Sequence, residues 1–322
     1  MTMNREAKIY VAGHGGLVGS GIMDKLGQHS YKNIIYRTSS ELDLRDQVAV
    51  NQFFATEQPE YVFLAAAKVG GILANRNYPA QFIYNNLMIE ANVIHAAYGY
   101  GVKKLLFLGS SCIYPRLAPQ PIKEEYLLAG ELESTNEAYA IAKIAGIKMC
   151  QAYNKQYNTN FIAVMPTNLY GPNDNFDLTS SHVLPALLRK FHEAKMNQQS
   201  SVEIWGTGKP RREFLHVYDL AEACIFLMNH YDGGDPINVG TGIDITIVDL
   251  ATLIAKIVGY SGNIQYKTDM PDGTMKKMLD VSKIALLGWK PKISLEDGIA
   301  MTYQWYIQES YKNGLPWGTN KT

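Results

Sequence analysis

Cysteine is scarce in this chain: Cys112, Cys150 and Cys224 are the only three in 322 residues. They are odd in number and far apart, which excludes a disulfide framework or a cysteine-rich zinc site and points to cytoplasmic thiols. Long apolar runs are missing too. No window approaches the roughly 18 residues of a membrane-spanning helix. Met1–Lys8 is polar, and the apolar stretch behind it is too short for a secretion signal. Neither sign of charge is in excess, since 30 Lys and Arg face 30 Asp and Glu. A neutral chain offers no electrostatic footprint for nucleic acid or an anionic membrane. No cluster has the spacing of metal ligands.

What is present is a regular alternation. Short, nearly all-apolar runs at Lys8–Gly13, Asn33–Tyr36, Tyr61–Ala65, Lys104–Gly109 and Phe161–Met165 alternate with helical patterns. Strands of that kind imply an α/β fold with a Rossmann-type, doubly wound parallel sheet covered on both faces. After Tyr170 the rhythm changes to a smaller α+β part. The expected division is 1–170 for the first domain, with a return to its sheet at about 214–240. Residues 171–213 and 241–322 form the second part.

The first strand runs into Gly13-His14-Gly15-Gly16-Leu17-Val18-Gly19. Glycines at the first, fourth and seventh positions allow a tight turn and close approach of backbone to a pyrophosphate. The helix behind them presents free N–H groups to the anion. The second strand ends in Tyr36-Arg37-Thr38-Ser39-Ser40, with no acid until Glu41. Arg37 suits a ribose 2′-phosphate and Ser39 can add a donor, which favours NADP(H) over NAD. A solvated loop arginine is the alternative.

Tyr139-x-x-x-Lys143 puts a phenol and an ammonium on one helix face. The ammonium is expected to lower the phenol's pKa and suit it to proton transfer. Chance pairs of this spacing are common among 21 tyrosines. Gly109-Ser110-Ser111-Cys112 supports the functional reading, because it follows the fourth strand at the edge where open α/β sheets bind ligands. Ser110 can donate to a reacting carbonyl. Ser110 and Cys112 share a side if the backbone there is extended.

The glycine loop, Ser110 and Tyr139-x-x-x-Lys143 together resemble the extended short-chain dehydrogenase/reductase family. Longer strings narrow the resemblance to its GDP-sugar epimerase/reductases: Leu64-Ala65-Ala66-Ala67-Lys68-Val69-Gly70-Gly71, Ser110 to Pro115, Met165 to Pro172, Asp174-Asn175-Phe176 and Trp205-Gly206-Thr207-Gly208. The resemblance runs from Ile9 to about Tyr306.

It implies 3,5-epimerisation of GDP-4-keto-6-deoxy-D-mannose and NADPH-dependent reduction at C4, giving GDP-L-fucose. A 4-keto-6-deoxyheptose or a 3,6-dideoxy sugar would need the same residues, and a non-catalytic cofactor-binding protein is the remaining alternative. Cys112 and His182 match the epimerisation base and acid, Tyr139 the proton donor at C4, Lys143 the holder of the nicotinamide ribose and Ser110 the carbonyl donor. Ser111 is a substrate contact. Leu64, Ala65, Pro166, Asn168 and Leu169 match cofactor contacts. Lys190, Trp205, Arg212, Asp272 and Lys277 are the candidates for the GDP end. The chain departs from some members at Gly15 and Ser39, where they carry arginines, which leaves Arg37 to select the 2′-phosphate. The resemblance also implies a homodimer through the helices at Phe82–Tyr98 and Glu137–Tyr157.

Overall fold

The computed structural model describes residues 2–269 and 272–313. In chain order, the first unit is β1 (Ile9–Ala12), α1 (Leu17–Gln28), β2 (Ile34–Ile35), α2 (Gln47–Glu57), β3 (Tyr61–Leu64), α3 (Ile72–Asn77), α4 (Pro79–Gly99), β4 (Lys104–Leu108), α5 (Glu137–Tyr157) and β5 (Phe161–Pro166). Then follow β6 (Asn168–Tyr170), α6 (Val183–Met196), β7 (Ser201–Trp205), β8 (Arg211–His216), α7 (Val217–His230) and β9 (Ile237–Val239). The chain continues with β10 (Asp244–Thr246), α8 (Ile247–Val258), β11 (Asn263–Lys267), β12 (Lys276–Lys277), α9 (Ser282–Leu286) and α10 (Leu295–Asn313).

Six strands form one parallel sheet in the order β2-β1-β3-β4-β5-β9. Strands β1, β3, β4 and β5 are buried along their whole length, as a sheet covered on both faces requires. One face packs with α1 and α7 around Ile22, Leu26, Leu220 and Leu227. The other packs with α2, α4 and α5 around Phe54, Val93, Ile94 and Ile147. The order reverses between β1 and β3 on one side and β2 on the other, so the carboxyl edge at β1 is the crevice such folds use for ligands.

Beyond the sheet, β8 lies between antiparallel β10 and parallel β12 and also pairs with β6. A separate core of Phe176, Leu188, Phe191, Leu250, Ile254 and Tyr306 gathers α6, α8 and α10. The register sets Lys277 of β12 beside Arg212 of β8. Most of the small strands here, β6, β10 and β12 among them, have no apolar alternation to announce them.

One buried lysine ties the two sides of the main sheet together. Lys104 opens β4, is fully buried, and donates to the carbonyls of Leu227, Met228 and Tyr231 at the end of α7. Its fourth contact is Asp232 at 3.0 Å. A cation at a helix C-terminus satisfies carbonyls that the helix itself leaves open.

Candidate active site

The glycine loop is built as the sequence requires. Gly13 has φ +84, and a Cβ on it would lie 2.7 Å from the backbone of Ala66. A Cβ on Gly19 would lie 2.0 Å from the carbonyl oxygen of Gly13. Any side chain at either position would force loop, helix and β3 apart. Gly16 caps α1 with no side-chain bond, so the N–H groups of Leu17, Val18 and Gly19 stay open at the helix's positive end. Leu64 pairs with Ala12, and Ala65 donates to Ala12 at 3.0 Å, which sets both against the loop. This bare cradle fits a dinucleotide pyrophosphate. His14, within it, stacks on Tyr36 at 4.3 Å between ring centres.

Arg37 does not stand free at the end of β2. Its guanidinium lies 2.5 Å from Glu57 of α2 and donates to the carbonyl of Tyr36. Ser39 is exposed beside it, and Glu41 turns back to accept from the N–H and hydroxyl of Thr38. Any anion brought to this arginine would compete with Glu57.

At the carboxyl end of β4 the backbone is not extended beyond Ser110. Residues Ser111–Ile113 form a single 3-10 turn, because the Ser110 hydroxyl caps it by accepting from the N–H of Cys112 at 3.3 Å. Ser110 and Cys112 are brought together by that cap and not by strand alternation. Ser111 is buried in the turn. Tyr139, in the first turn of α5, is hydrogen-bonded with the Ser110 hydroxyl and has Cys112 as an electrostatic neighbour. Its ring is held edge-on by Phe82 of α4 at 6.3 Å.

One turn further along α5, Lys143 is buried. It donates to the carbonyl of Leu108 at 2.9 Å and lies 3.0 Å from Glu90. The ammonium sits 5.9 Å from the centre of the Tyr139 ring. The expected lowering of the phenol's pKa is not what the structure holds. Burial, Cys112 and Glu90 push Tyr139 well above its ordinary value, and the Ser110 hydrogen bond only partly offsets them. The carboxylate beside Lys143 cancels much of the charge that was to do the lowering.

Burial raises the Cys112 thiol, while Lys277, Ser110 and Lys143 pull it down. His182 is the N-cap of α6 and makes no side-chain capping bond. The residue is exposed, yet desolvation by its surroundings and the Lys277 ammonium both disfavour its protonation. Lys277, expected at the diphosphate, is thus the common electrostatic neighbour of Cys112, His182 and Arg212. Ser110, Cys112, Tyr139 and Lys143 meet at one sheet edge, and Lys277 of the second part is the electrostatic neighbour that Cys112 and His182 share.

The remaining residues are more dispersed. Pro166 pairs with Val239, and the Asn168 amide donates to the carbonyl of Glu213 at 2.9 Å, with Leu169 next to it in β6. Lys190 donates to the carbonyl of Glu203 and lies 5.6 Å over the half-exposed Trp205 ring. Asp272 is not open to a base: its carboxylate accepts from the N–H and hydroxyl of Thr207 at 2.6 and 2.9 Å. Pro271, before it, lies outside the described residues. Arg211 is committed to Asp244 at 2.6 Å, whereas Arg212 makes one bond, to the carbonyl of Arg211, and faces Asp272. Sequence reading missed Glu90. Its signal is an acid in the Phe82, Asn86, Glu90 row, four apart on the helix face that turns inward.

A family model described as the NAD dependent epimerase/dehydratase family matches residues 9–240. The chain belongs to the NAD dependent epimerase/dehydratase family. Among other members it is 61% identical to a putative GDP-L-fucose synthase 2 of Arabidopsis thaliana, over 95% of this chain and 93% of that one. It is 55% identical to a GDP-L-fucose synthase of Escherichia coli, over 94% and 97%. A solved GDP-mannoheptose C4 reductase of Campylobacter jejuni with NADP bound is 46% identical, with TM-score 0.86, covering 95% of this chain and 99% of that one. The family fold accounts for the parallel sheet and its glycine loop. Among the described residues no helix is long and apolar enough to cross a membrane, and no group of three or more His, Cys, Asp or Glu could hold a metal.

Proposed function

We propose that the chain converts GDP-4-keto-6-deoxy-D-mannose to GDP-L-fucose by 3,5-epimerisation and NADPH-dependent reduction at C4. What supports the reading is the gathering of Ser110, Cys112, Tyr139 and Lys143 at one sheet edge, with Lys277 as the electrostatic neighbour that Cys112 shares with His182. The GDP-L-fucose synthases among its relatives, at 53–61% identity for five of them, support the mannose-derived sugar. The heptose proteins among solved structures, at 44–46%, favour the second reading, a heptose substrate for the same machinery. Turnover of each ketone, followed by loss of NADPH absorbance, separates the two. Consumption of the heptose ketone alone would overturn the first.

The glycine loop, Leu64, Ala65, Pro166, Asn168 and Leu169 hold the cofactor, with Arg37 and Ser39 at its 2′-phosphate. NADPH supplies the hydride for C4 when bound. The C4 ketone makes the protons on C3 and C5 acidic. Cys112 removes each as base, and His182 returns a proton on the opposite face. Ser110 donates to the C4 oxygen, where negative charge develops. Tyr139 then gives that oxygen its proton. A phenol raised above its ordinary pKa is a phenol that still carries its proton at neutral pH, which is what a donor needs. Lys143 holds the nicotinamide ribose. Arg212 and Lys190 neutralise the diphosphate, Trp205 offers a flat face to the base or sugar, and Lys277 adds positive charge to the same end of the cleft. Ser111 completes the substrate contacts, while Asp272 holds the turn at Thr207.

Because Glu57 competes for Arg37, Glu57→Gln is expected to tighten NADPH binding about fivefold, near 1 kcal/mol for a half-exposed pair. NADH binding should hardly change. Equal changes for both cofactors, measured by fluorescence titration, would remove Arg37 from the 2′-phosphate.

The finer assembly is a homodimer. Exposed Tyr84 on α4 and Ile141 on α5 support a four-helix contact between two copies. Light scattering should give twice 36.0 kDa, and a 36.0 kDa species alone would contradict it. Three free cysteines support a cytoplasmic enzyme.

A further inference from the structure

Glu90 and Lys143 are an ion pair in the interior of the molecule, each side chain only 2% exposed. Taking two charges out of water is costly, and apolar side chains of the same volume commonly serve stability as well or better. Lys143 is the only partner the carboxylate has among the described residues: Oε1 lies 3.0 Å from its Nζ, and neither oxygen makes a further bond. The neighbouring helix is shaped around it. Gly146 sits in the middle of α5, where glycine costs a helix about 1 kcal/mol against alanine. A Cβ there would lie 2.8 Å from Glu90 Oε2 and 2.5 Å from the Phe107 ring. The sequence thus accepts a weak helix residue where Phe107 and Glu90 both crowd α5, and a buried charge on α4 beside it.

That contact ends on the lysine next to the proton donor. Lys143 has three N–H donors. The Leu108 carbonyl engages one of them, and the ion pair with Glu90 helps fix the ammonium between β4, α4 and α5. The charged and titratable groups around Tyr139 are Cys112 from the turn after β4, Glu90 from α4 and Lys143 from α5; Cys150 of α5 also feels Glu90.

We propose that Glu90 is a positioning residue for the reduction step: it holds Lys143 in place and offsets its charge beside Tyr139, so that the phenol stays a proton donor. This rests on the reading of Tyr139 and Lys143 given above. The consequence has a definite sign. Removing the carboxylate leaves the ammonium uncompensated, the phenolate becomes easier to form, and the donor is lost at lower pH.

The test is Glu90→Gln in the full chain, with NADPH oxidation and solvent-deuterium exchange at C3 and C5 measured on GDP-4-keto-6-deoxymannose across pH. The basic limb of the reduction profile should move down by about one pH unit or more, a tenfold change in proton dissociation. Exchange at C3 and C5, which uses Cys112 and His182, should stay within about threefold of wild type, a span under 1 kcal/mol. Glu90→Asp keeps the charge and should move the limb less than half as far. A folded Glu90→Gln protein with its basic limb in place overturns the proposal. So does an equal fall in reduction and exchange, which is what a merely structural role would give. Should Glu90→Gln fail to fold, Glu90→Asp decides: reduction lost more than exchange supports the proposal, and equal losses overturn it. Failure of the underlying reading looks different, because Tyr139→Phe would then reduce the ketone as fast as wild type.

Discussion

Tyr139→Phe is expected to lower the rate of NADPH oxidation by about 10²–10⁴-fold, the usual span for loss of a general acid. The substitution removes only the hydroxyl. The ring keeps its edge-on contact with Phe82, so the fold and cofactor binding should persist. Lys143 keeps its bond to the Leu108 carbonyl, because that bond does not involve the phenol. Deuterium should still enter C3 and C5, since the proton exchange is complete before the C4 oxygen needs its proton. Loss of exchange together with reduction would mean that the phenol supports the whole site and does not serve the C4 oxygen alone. Unchanged NADPH oxidation would remove Tyr139 from the mechanism. The wild-type profile carries a sign of its own. A phenol held above its ordinary value loses its proton only at high pH, so reduction should hold up to pH values above about 10, the ordinary tyrosine range.

The second large effect is on the other half of the chemistry. Cys112→Ser should slow deuterium incorporation at C3 and C5 by about 10²–10⁴-fold, because a hydroxyl is a far poorer base precursor than a thiol. The shape of the replacement is nearly the same, so the Ser110-capped turn should survive and GDP-sugar binding should stay close to wild type. Burial holds the thiol up and holds the His182 imidazole down, so both groups rest uncharged at neutral pH. To act as base, Cys112 must lose a proton; to act as acid, His182 must gain one. Exchange should therefore rise with pH as the thiol dissociates, and fall as the imidazole loses its proton. Only a minor fraction of the enzyme is in the active protonation state at any pH. Lys277 acts in opposite ways on the two groups: it favours the thiolate and disfavours the imidazolium. Wild-type exchange rates in Cys112→Ser would exclude the thiol.

The parallel sheet was legible because its strands are apolar on both faces and their spacing leaves room only for helices between them. Asn33–Tyr36 reads as four strand residues but pairs over only Ile34–Ile35, since the edge has one neighbour to hold it. Helix starts were legible where a capping side chain stands: Asp46 before α2 accepts from Val48 and Ala49, and Thr246 before α8 accepts from Asp249. The small strands of the second part were not, because they rest on pairing with distant segments and not on a local pattern.

In the site, the glycines and Ser110 were legible from their place after strands at the ligand edge, and Tyr139 and Lys143 from their spacing taken together with those neighbours and the family strings. What escaped was the partner of each charge. Arg37 was read without Glu57, Lys143 without Glu90 and Asp272 without Thr207. Each pair joins residues from separate elements, and only the packed fold brings them within reach. Lys277 is the clearest case, since its register beside Arg212 also makes it an electrostatic neighbour of Cys112 and His182.

The most direct measurement is the product made from GDP-4-keto-6-deoxy-D-mannose and NADPH in deuterated water, read by mass and NMR. One cleft that both epimerises and reduces predicts GDP-L-fucose with deuterium at C3 and at C5. A reduced product with deuterium at neither centre would contradict it.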